Sequence, residues 1–256
     1  MSGNDTMQMV LLAGTIIMEN GGETYRAEDT VSRMAKALGC SRSGVFAVPS
    51  GLFVTLCFED GSELTQIQRI SAKGIDLTRV DEVNTISRSL AAREITAEEG
   101  YERLKALKLQ KKKPLWRDAL GAFIAAGAFC VLFGDGVSDS VISAVVAALV
   151  QMVLHAVFFS SSGGPFMQSL IGSFLTTLLP LAFQSFTGIG VIDTIVGAAL
   201  MPFVPGIAMT NAVRDTMRGD FLSGVAHFAE ALLHACMIVG GAVGANYVFG
   251  LLGGVL

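Results

Sequence analysis

Lys111-Lys112-Lys113-Pro114-Leu115-Trp116-Arg117 is the stretch at which the chain changes solvent. Before Pro114 lie 15 of the 18 Lys and Arg residues and 15 of the 22 Asp and Glu; the 143 residues from Pro114 onward hold three basic and seven acidic side chains. Between Ala119 and Thr210 the only charges are Asp135, Asp139 and Asp193. Over all 256 residues, 52% are apolar and 16% charged, against about 25% charged in an ordinary soluble domain. The expected fold class is therefore an α+β soluble head, residues 1–113, followed by an all-α membrane bundle of about five transmembrane helices, residues 114–256. The net charge of −4 averages two unlike parts and implies no nucleic-acid partner.

A helix needs roughly 20 apolar residues to cross a bilayer. The candidate stretches are 116–133, 141–159, 166–183, 189–209 and 221–243, the last able to run on towards Leu252. The basic residues beside these spans are the 111–113 run, Arg117, Arg214 and Arg218. With the head in the cytoplasm all of them fall on the cytoplasmic side, as the bias of Lys and Arg towards that leaflet requires. No cleaved signal peptide is expected, because only Asp5 precedes the apolar run 7–18 and no basic segment does. Five is an odd number of spans for a machine built of two related halves, so a second half is expected from another chain.

In the head, helices are expected over 7–19 and 23–38, separated by Gly21-Gly22. Strands follow at 44–48, 52–58 and 64–70, with a hairpin turn at Asp60-Gly61. Two more helices occupy 77–93 and 97–108, the second opened by a capping box of Thr96 and Glu99. The head has no His, no phosphate-cradling glycine loop, no Gly-x-Ser-x-Gly elbow and no Asp-rich metal loop. Glu23, Arg26 and Glu28 gather at a helix start, where the acids complement the helix dipole; Arg26 and Arg69 either pair with them or bind an anionic ligand. The four cysteines are scattered with no Cys-x-x-Cys pair, so neither a disulfide framework nor a metal site is expected, and no cofactor.

Inside the membrane half, Met201-Pro202-Phe203-Val204-Pro205-Gly206 interrupts the fourth span. Two prolines and a glycine remove backbone hydrogen bonds, and the freed groups must be met by neighbours, water or cargo. That reading makes Pro202, Pro205, Gly206, Asn211 and Asp193 a substrate pathway; the plainer reading is a packing kink, with Asp193 an interfacial residue at a helix start. His227, Glu230 and His234 lie at i, i+3 and i+7, on one face of the last span. They serve as a proton relay, as interhelical hydrogen bonds or, least readily, as metal ligands. Gly240 and Gly244 are spaced for a close helix contact, within the chain or between copies.

The order of these parts resembles a known family. Gly21-Gly22-Glu23-Thr24-Tyr25-Arg26-Ala27-Glu28, with Glu23, Thr24, Arg26 and Glu28 as its polar members, is similar to the head motif of the bacterial threonine/serine exporters. Val204-Pro205-Gly206, then Asn211, Asp215 and Gly219 and a last apolar helix, match in the same order. The resemblance implies export of small polar metabolites, threonine/serine-type amino acids or dicarboxylates such as succinate, across the bacterial inner membrane. It implies the larger subunit of a split form, whose partner is a small membrane subunit, and no enzymatic activity. It says nothing of the His227, Glu230 and His234 stripe. Gradient drive, a small-molecule substrate, a lipid bilayer and a homo-oligomer complete the expectation. The competing reading is a membrane-anchored sensor or scaffold whose cytoplasmic head binds a ligand or partner; an intramembrane metalloenzyme on the histidine stripe is a third.

Overall fold

The computed structural model describes residues 2–71, 74–110, 114–134, 136–158 and 164–253. The basic run 111–113, Asp135 and the expected connection after residue 158 up to 163 lie outside the described residues. By their contacts the residues form two compact units, one of 1–111 with 207–228 and one of 112–206 with 229–256.

The first unit is built around α1 (Gly3–Glu19). Ser2 starts it with a reciprocal cap that the sequence reading missed: the Asp5 amide donates to Ser2 Oγ at 3.2 Å, and the Ser2 amide donates to the Asp5 carboxylate at 3.0 Å. Met7, Met9, Val10, Ala13, Ile16 and Ile17 are buried around its whole circumference, so α1 is a core helix. It packs on α2 (Thr24–Ala37), α3 (Leu77–Ala91), α4 (Ala97–Leu109) and the sheet. Three antiparallel strands, β1 (Arg42–Val48), β2 (Gly51–Cys57) and β3 (Glu63–Arg69), stand in the order β1-β2-β3. Val48 faces Gly51, so Pro49-Ser50 makes a two-residue turn that the sequence reading did not single out; the Asp60-Gly61 turn is as expected, with Gly61 at φ 81°. Leu52, Val54 and Leu56 face inward. Gly14 of α1 lies on Leu52 and Val31, where a Cβ would come within 2.5 Å and 3.0 Å of their side chains. On the outer side, Phe46, Phe53 and Ile67 are register partners and all three are exposed. At α4 the Thr96 hydroxyl accepts from the Glu99 amide at 3.2 Å, while the Glu99 carboxylate turns to Arg103.

The second unit holds α5 (Leu115–Leu132), α6 (Val137–Phe158), α7 (Pro165–Thr187), α8 (Ile192–Leu200), the 3-10 turn Met201–Phe203 and the larger part of α10 (Phe221–Leu251). Ala122 and Ala126 of α5 meet Ala147 and Val150 of α6 around Ala199 of α8, a small-residue core that lets backbones approach. Gly172 of α7 makes room for the ring of Phe203, which pins the 3-10 turn. Among the described residues four helices are long and apolar enough to cross a membrane, α5, α6, α7 and α10. The fourth expected span, 189–209, is a broken pair, 192–203 and 206–217, interrupted at the prolines as expected and bent by 60°. Pro180 sits inside α7, a feature the sequence reading passed over.

The close approach in the last helix falls at Gly241 and not at the expected pair Gly240 and Gly244, where an added Cβ would make only ordinary contacts. A Cβ at Gly241 would overlap Ser173 Oγ and the Leu170 carbonyl and come within 2.9 Å of the Phe174 amide, whereas at Gly244 it would meet only the Phe174 ring at ordinary contact distance. Gly241→Val is therefore expected to cost about 1–3 kcal/mol of packing and to lower Tm in detergent, and Gly244→Val to leave it nearly unchanged. Equal Tm values for the two variants would remove this account of the α7–α10 contact.

Candidate functional site: a buried ionic junction of α2, α9 and α10

The junction begins at Gly21-Gly22. Gly21 turns the chain at φ 81°, and Gly22 lies against Ile17, whose carbonyl a Cβ would meet at 2.8 Å. These two glycines aim the next residues, Glu23 at the N-cap of α2 and Thr24 in its first turn, at the second part of the same unit. That part is α9 (Gly206–Met217) with the start of α10.

On α9, Asn211, Ala212 and Asp215 form the buried side. Gly219 turns the chain at φ 86°, and Asp220 caps α10, its carboxylate accepting from the Ser223 amide at 3.1 Å. Gly224, against Ala212 and Thr216, lets α10 close on α9: a Cβ there would come within 3.1 Å of the Thr216 amide and 3.2 Å of the Ala212 carbonyl. One turn later His227 reaches Asp215, with Nδ1 at 2.9 Å from Oδ2. The other oxygen of Asp215 accepts from the Thr24 hydroxyl at 3.3 Å. Thr24 and Asp215 are both 1% exposed. Beside them the Glu23 carboxylate is shared: one oxygen takes Arg26 Nε at 2.8 Å and the other takes Arg214. The Arg218 guanidinium stacks 3.4 Å above the Tyr25 ring centroid. Two acids and two arginines so close, with a threonine and a histidine on the remaining oxygens, answer the desolvation of each carboxylate with several donors.

Glu28, one turn into α2, accepts the Ala47 amide at 2.8 Å. Burial pushes its carboxyl up; the amide pulls it down, and the negative charges of Asp220 and Asp215 push it up again. So of the anticipated head cluster, Glu23 and Arg26 pair with each other, Glu28 ties α2 to β1, and Arg69 lies exposed on β3.

The expected pathway residues divide. Asn211 is buried on α9 and Gly206 opens that helix, its amide donating to the Val204 carbonyl at 2.8 Å across Pro205. Pro202 sits in the 3-10 turn, and Asp193 is exposed in the first turn of α8. The histidine stripe likewise meets separate partners: His227 takes Asp215, whereas His234 Nδ1 lies 2.8 Å from Ser169 Oγ and its ring tilts against Phe166 at 4.7 Å. An open groove of about 660 Å³ runs along α9, lined by Met209, Thr210, Val213, Arg214, Met217 and Arg218. Among the described residues no group of three or more His, Cys, Asp or Glu is placed to hold a metal ion. The link between Glu23 and Arg214 was missed in sequence, although both lie in the two stretches that carry the family resemblance.

The family model described as "Putative threonine/serine exporter" (ThrE) matches residues 8–249. The chain belongs to this family. The match runs through both parts of the junction and both units. The exporter-family chain is 26% identical over 247 residues to the "Probable succinate transporter subunit YjjP" of Escherichia coli K12, covering 96% of this chain and 95% of that protein. It is also 26% identical over 238 residues to the protein of the same description from Klebsiella aerogenes, covering 93% and 91%. No solved structure matches. As a transporter-family member with several long apolar helices, the chain is a multi-pass membrane protein.

The Glu28 carboxyl gives the junction a pH signature. A folded-state value above the unfolded 4.5 means that ionised Glu28 opposes folding at neutral pH, and that this opposition fades as pH falls through the raised value towards 4.5. Glu28→Gln keeps an acceptor for the Ala47 amide and removes the charge. It is expected to raise Tm near pH 7 and to flatten the fall of Tm as pH rises above 4.5. A variant with the native slope would show that Glu28 does not carry this dependence.

Proposed function

We propose that the chain is one subunit of an inner-membrane exporter of small polar metabolites, threonine/serine-type amino acids or dicarboxylates such as succinate. The observation that carries this reading is the family match across residues 8–249, which includes the broken α8–α9 segment and the glycine motif that meets it. The N-terminal domain faces the cytoplasm, with the basic residues beside the spans on the same side. A smaller membrane subunit completes the exporter, in keeping with relatives described as a transporter subunit. The composition boundary at 113/114 separates the cytoplasmic domain from the transmembrane domain.

Pro202 and Pro205 have no N–H to give to the helix, and with Gly206, Asn211 and Asp193 they line the route of the solute. Export needs a drive, and the head sequence has no phosphate loop, so a gradient supplies it. His227, Glu230 and His234 carry protons along the last helix, with Asp215 holding the first of them in place. Of the head motif, Glu23 and Thr24 join the N-terminal domain to α9, Arg26 holds Glu23, and Glu28 ties α2 to β1.

The test is efflux of labelled threonine, serine and succinate from bacteria making the full chain with and without the candidate small subunit. The native pair is expected to export at least one of them. Asp215→Asn keeps the size of the side chain and removes its charge. It is expected to lower that flux tenfold or more while membrane abundance stays native, and Arg26→Ala to lower it less, since Arg214 remains on Glu23. No efflux of any of the three with both subunits present would remove the reading; native flux in Asp215→Asn would remove the junction from the mechanism.

A further inference from the structure

The buried side of α7 holds Ser169, Gly172, Ser173, Thr176, Thr177, Pro180 and Leu181, and four of these seven carry a hydroxyl. A hydroxyl inside a helix ordinarily satisfies itself on a carbonyl three or four residues back. Ser185, Thr187 and Thr216 do so, at 2.8, 2.9 and 2.7 Å. Towards the start of α7 the stripe is also satisfied, Ser169 on His234 and the Pro165 carbonyl, and Ser173 on the carbonyls of Leu170 and Met237. Ser87, Ser143 and Ser223 each leave a single buried hydroxyl without a partner among the described residues, and Thr176 and Thr177 leave two side by side. Thr176 and Thr177 are 0% and 2% exposed. One turn on, Pro180 has no N–H, so the Thr176 carbonyl loses the partner that residue 180 would supply in a regular helix. Two unpartnered hydroxyls and a carbonyl without its usual i+4 donor thus lie on one buried turn, in a segment where water is scarce.

We propose that this turn of α7 is a binding site for a small, net-neutral solute bearing O–H or N–H donors, held by the hydroxyls of Thr176 and Thr177 and the carbonyl of Thr176. The chemistry of the three oxygens sets the class. Each hydroxyl can donate or accept, and the carbonyl can only accept. α7 has no Asp, Glu, Lys or Arg, so nothing on the turn compensates a net charge. A dianion would meet the negative end of the carbonyl dipole with no cation beside it. A hydroxyl, or the ammonium of a zwitterion, meets an acceptor with its donor, and the hydroxyls turn to whatever carboxylate or hydroxyl accompanies it. The proposal rests on the export reading and deepens it by adding a solute site on α7, away from the α8–α9 break.

Purified full-length chain in detergent tests it by thermal shift, with L-threonine as the net-neutral probe and succinate as the dianion. L-threonine is expected to raise Tm of the native chain. Thr176→Val with Thr177→Val conserves shape and removes both hydroxyls; Pro180→Ala restores the N–H. Each is expected to weaken the apparent affinity for L-threonine at least tenfold. Thr176→Ser with Thr177→Ser keeps the hydroxyls and is expected to bind within about threefold of the native chain, as is Thr187→Val, whose hydroxyl is spent on Phe183. The proposal is overturned if the double valine variant responds to L-threonine as the native chain does, if the native chain does not respond, or if succinate binds more tightly. Whole-cell efflux, read separately, tells the two failures apart: efflux without a threonine response removes the α7 site alone, and a threonine response without efflux removes export alone.

Discussion

A carboxylate with 1% of its surface in water has to be answered by donors, and Asp215 is answered from two directions. Thr24 reaches it from the start of α2 and His227 from the second turn of α10. Removing either leaves a buried charge short of a partner, which costs more than the net gain of the bond itself. Much of the surrounding geometry follows from that requirement. Gly21 and Gly22 set the angle at which Thr24 leaves α1, Gly219 and Asp220 turn the chain into α10, and Gly224 brings α10 near enough for the histidine. The second acid, Glu23, is met in the same way by Arg26 and Arg214.

The helical unit follows a different rule. It has few charges to neutralise, so its order comes from close approach of small residues and from hydroxyls that bond across helices. Ala122, Ala126 and Ala147 permit the first; Gly172 and Gly241 permit the contacts of α7 with Phe203 and α10. Serines of α7 supply the second, and the threonines one turn on do not share in it.

Much of the fold was legible because solvent writes itself into composition. The charge asymmetry at Pro114, the apolar lengths of α5, α6, α7 and α10, and the glycine breaks of the head could all be read before any coordinates. The site was less legible, for a physical reason. Glu23 and Arg214 look like ordinary surface charges when each is read in its own window, and only folding brings them onto one carboxylate. The histidine spacing correctly put His227, Glu230 and His234 on one face of a helix. It could not say that His227 would turn to an aspartate on α9 and His234 to a serine on α7. Pro180 was passed over because a single proline in a long apolar run looks tolerable, and its effect lies in the carbonyl it leaves behind.

Thr24 and Asp215 stand 191 residues apart in the chain. A ribosome delivers α1, α2 and the sheet long before α9, and synthesis proceeds at roughly 5–20 residues per second. For many seconds the nascent domain therefore displays Glu23 and Thr24 with no counterpart, and it gains one only after the intervening apolar helices have been made. Closure of this contact is a late event of biogenesis, and it reports to the N-terminal segment that the segments before α9 have been synthesised.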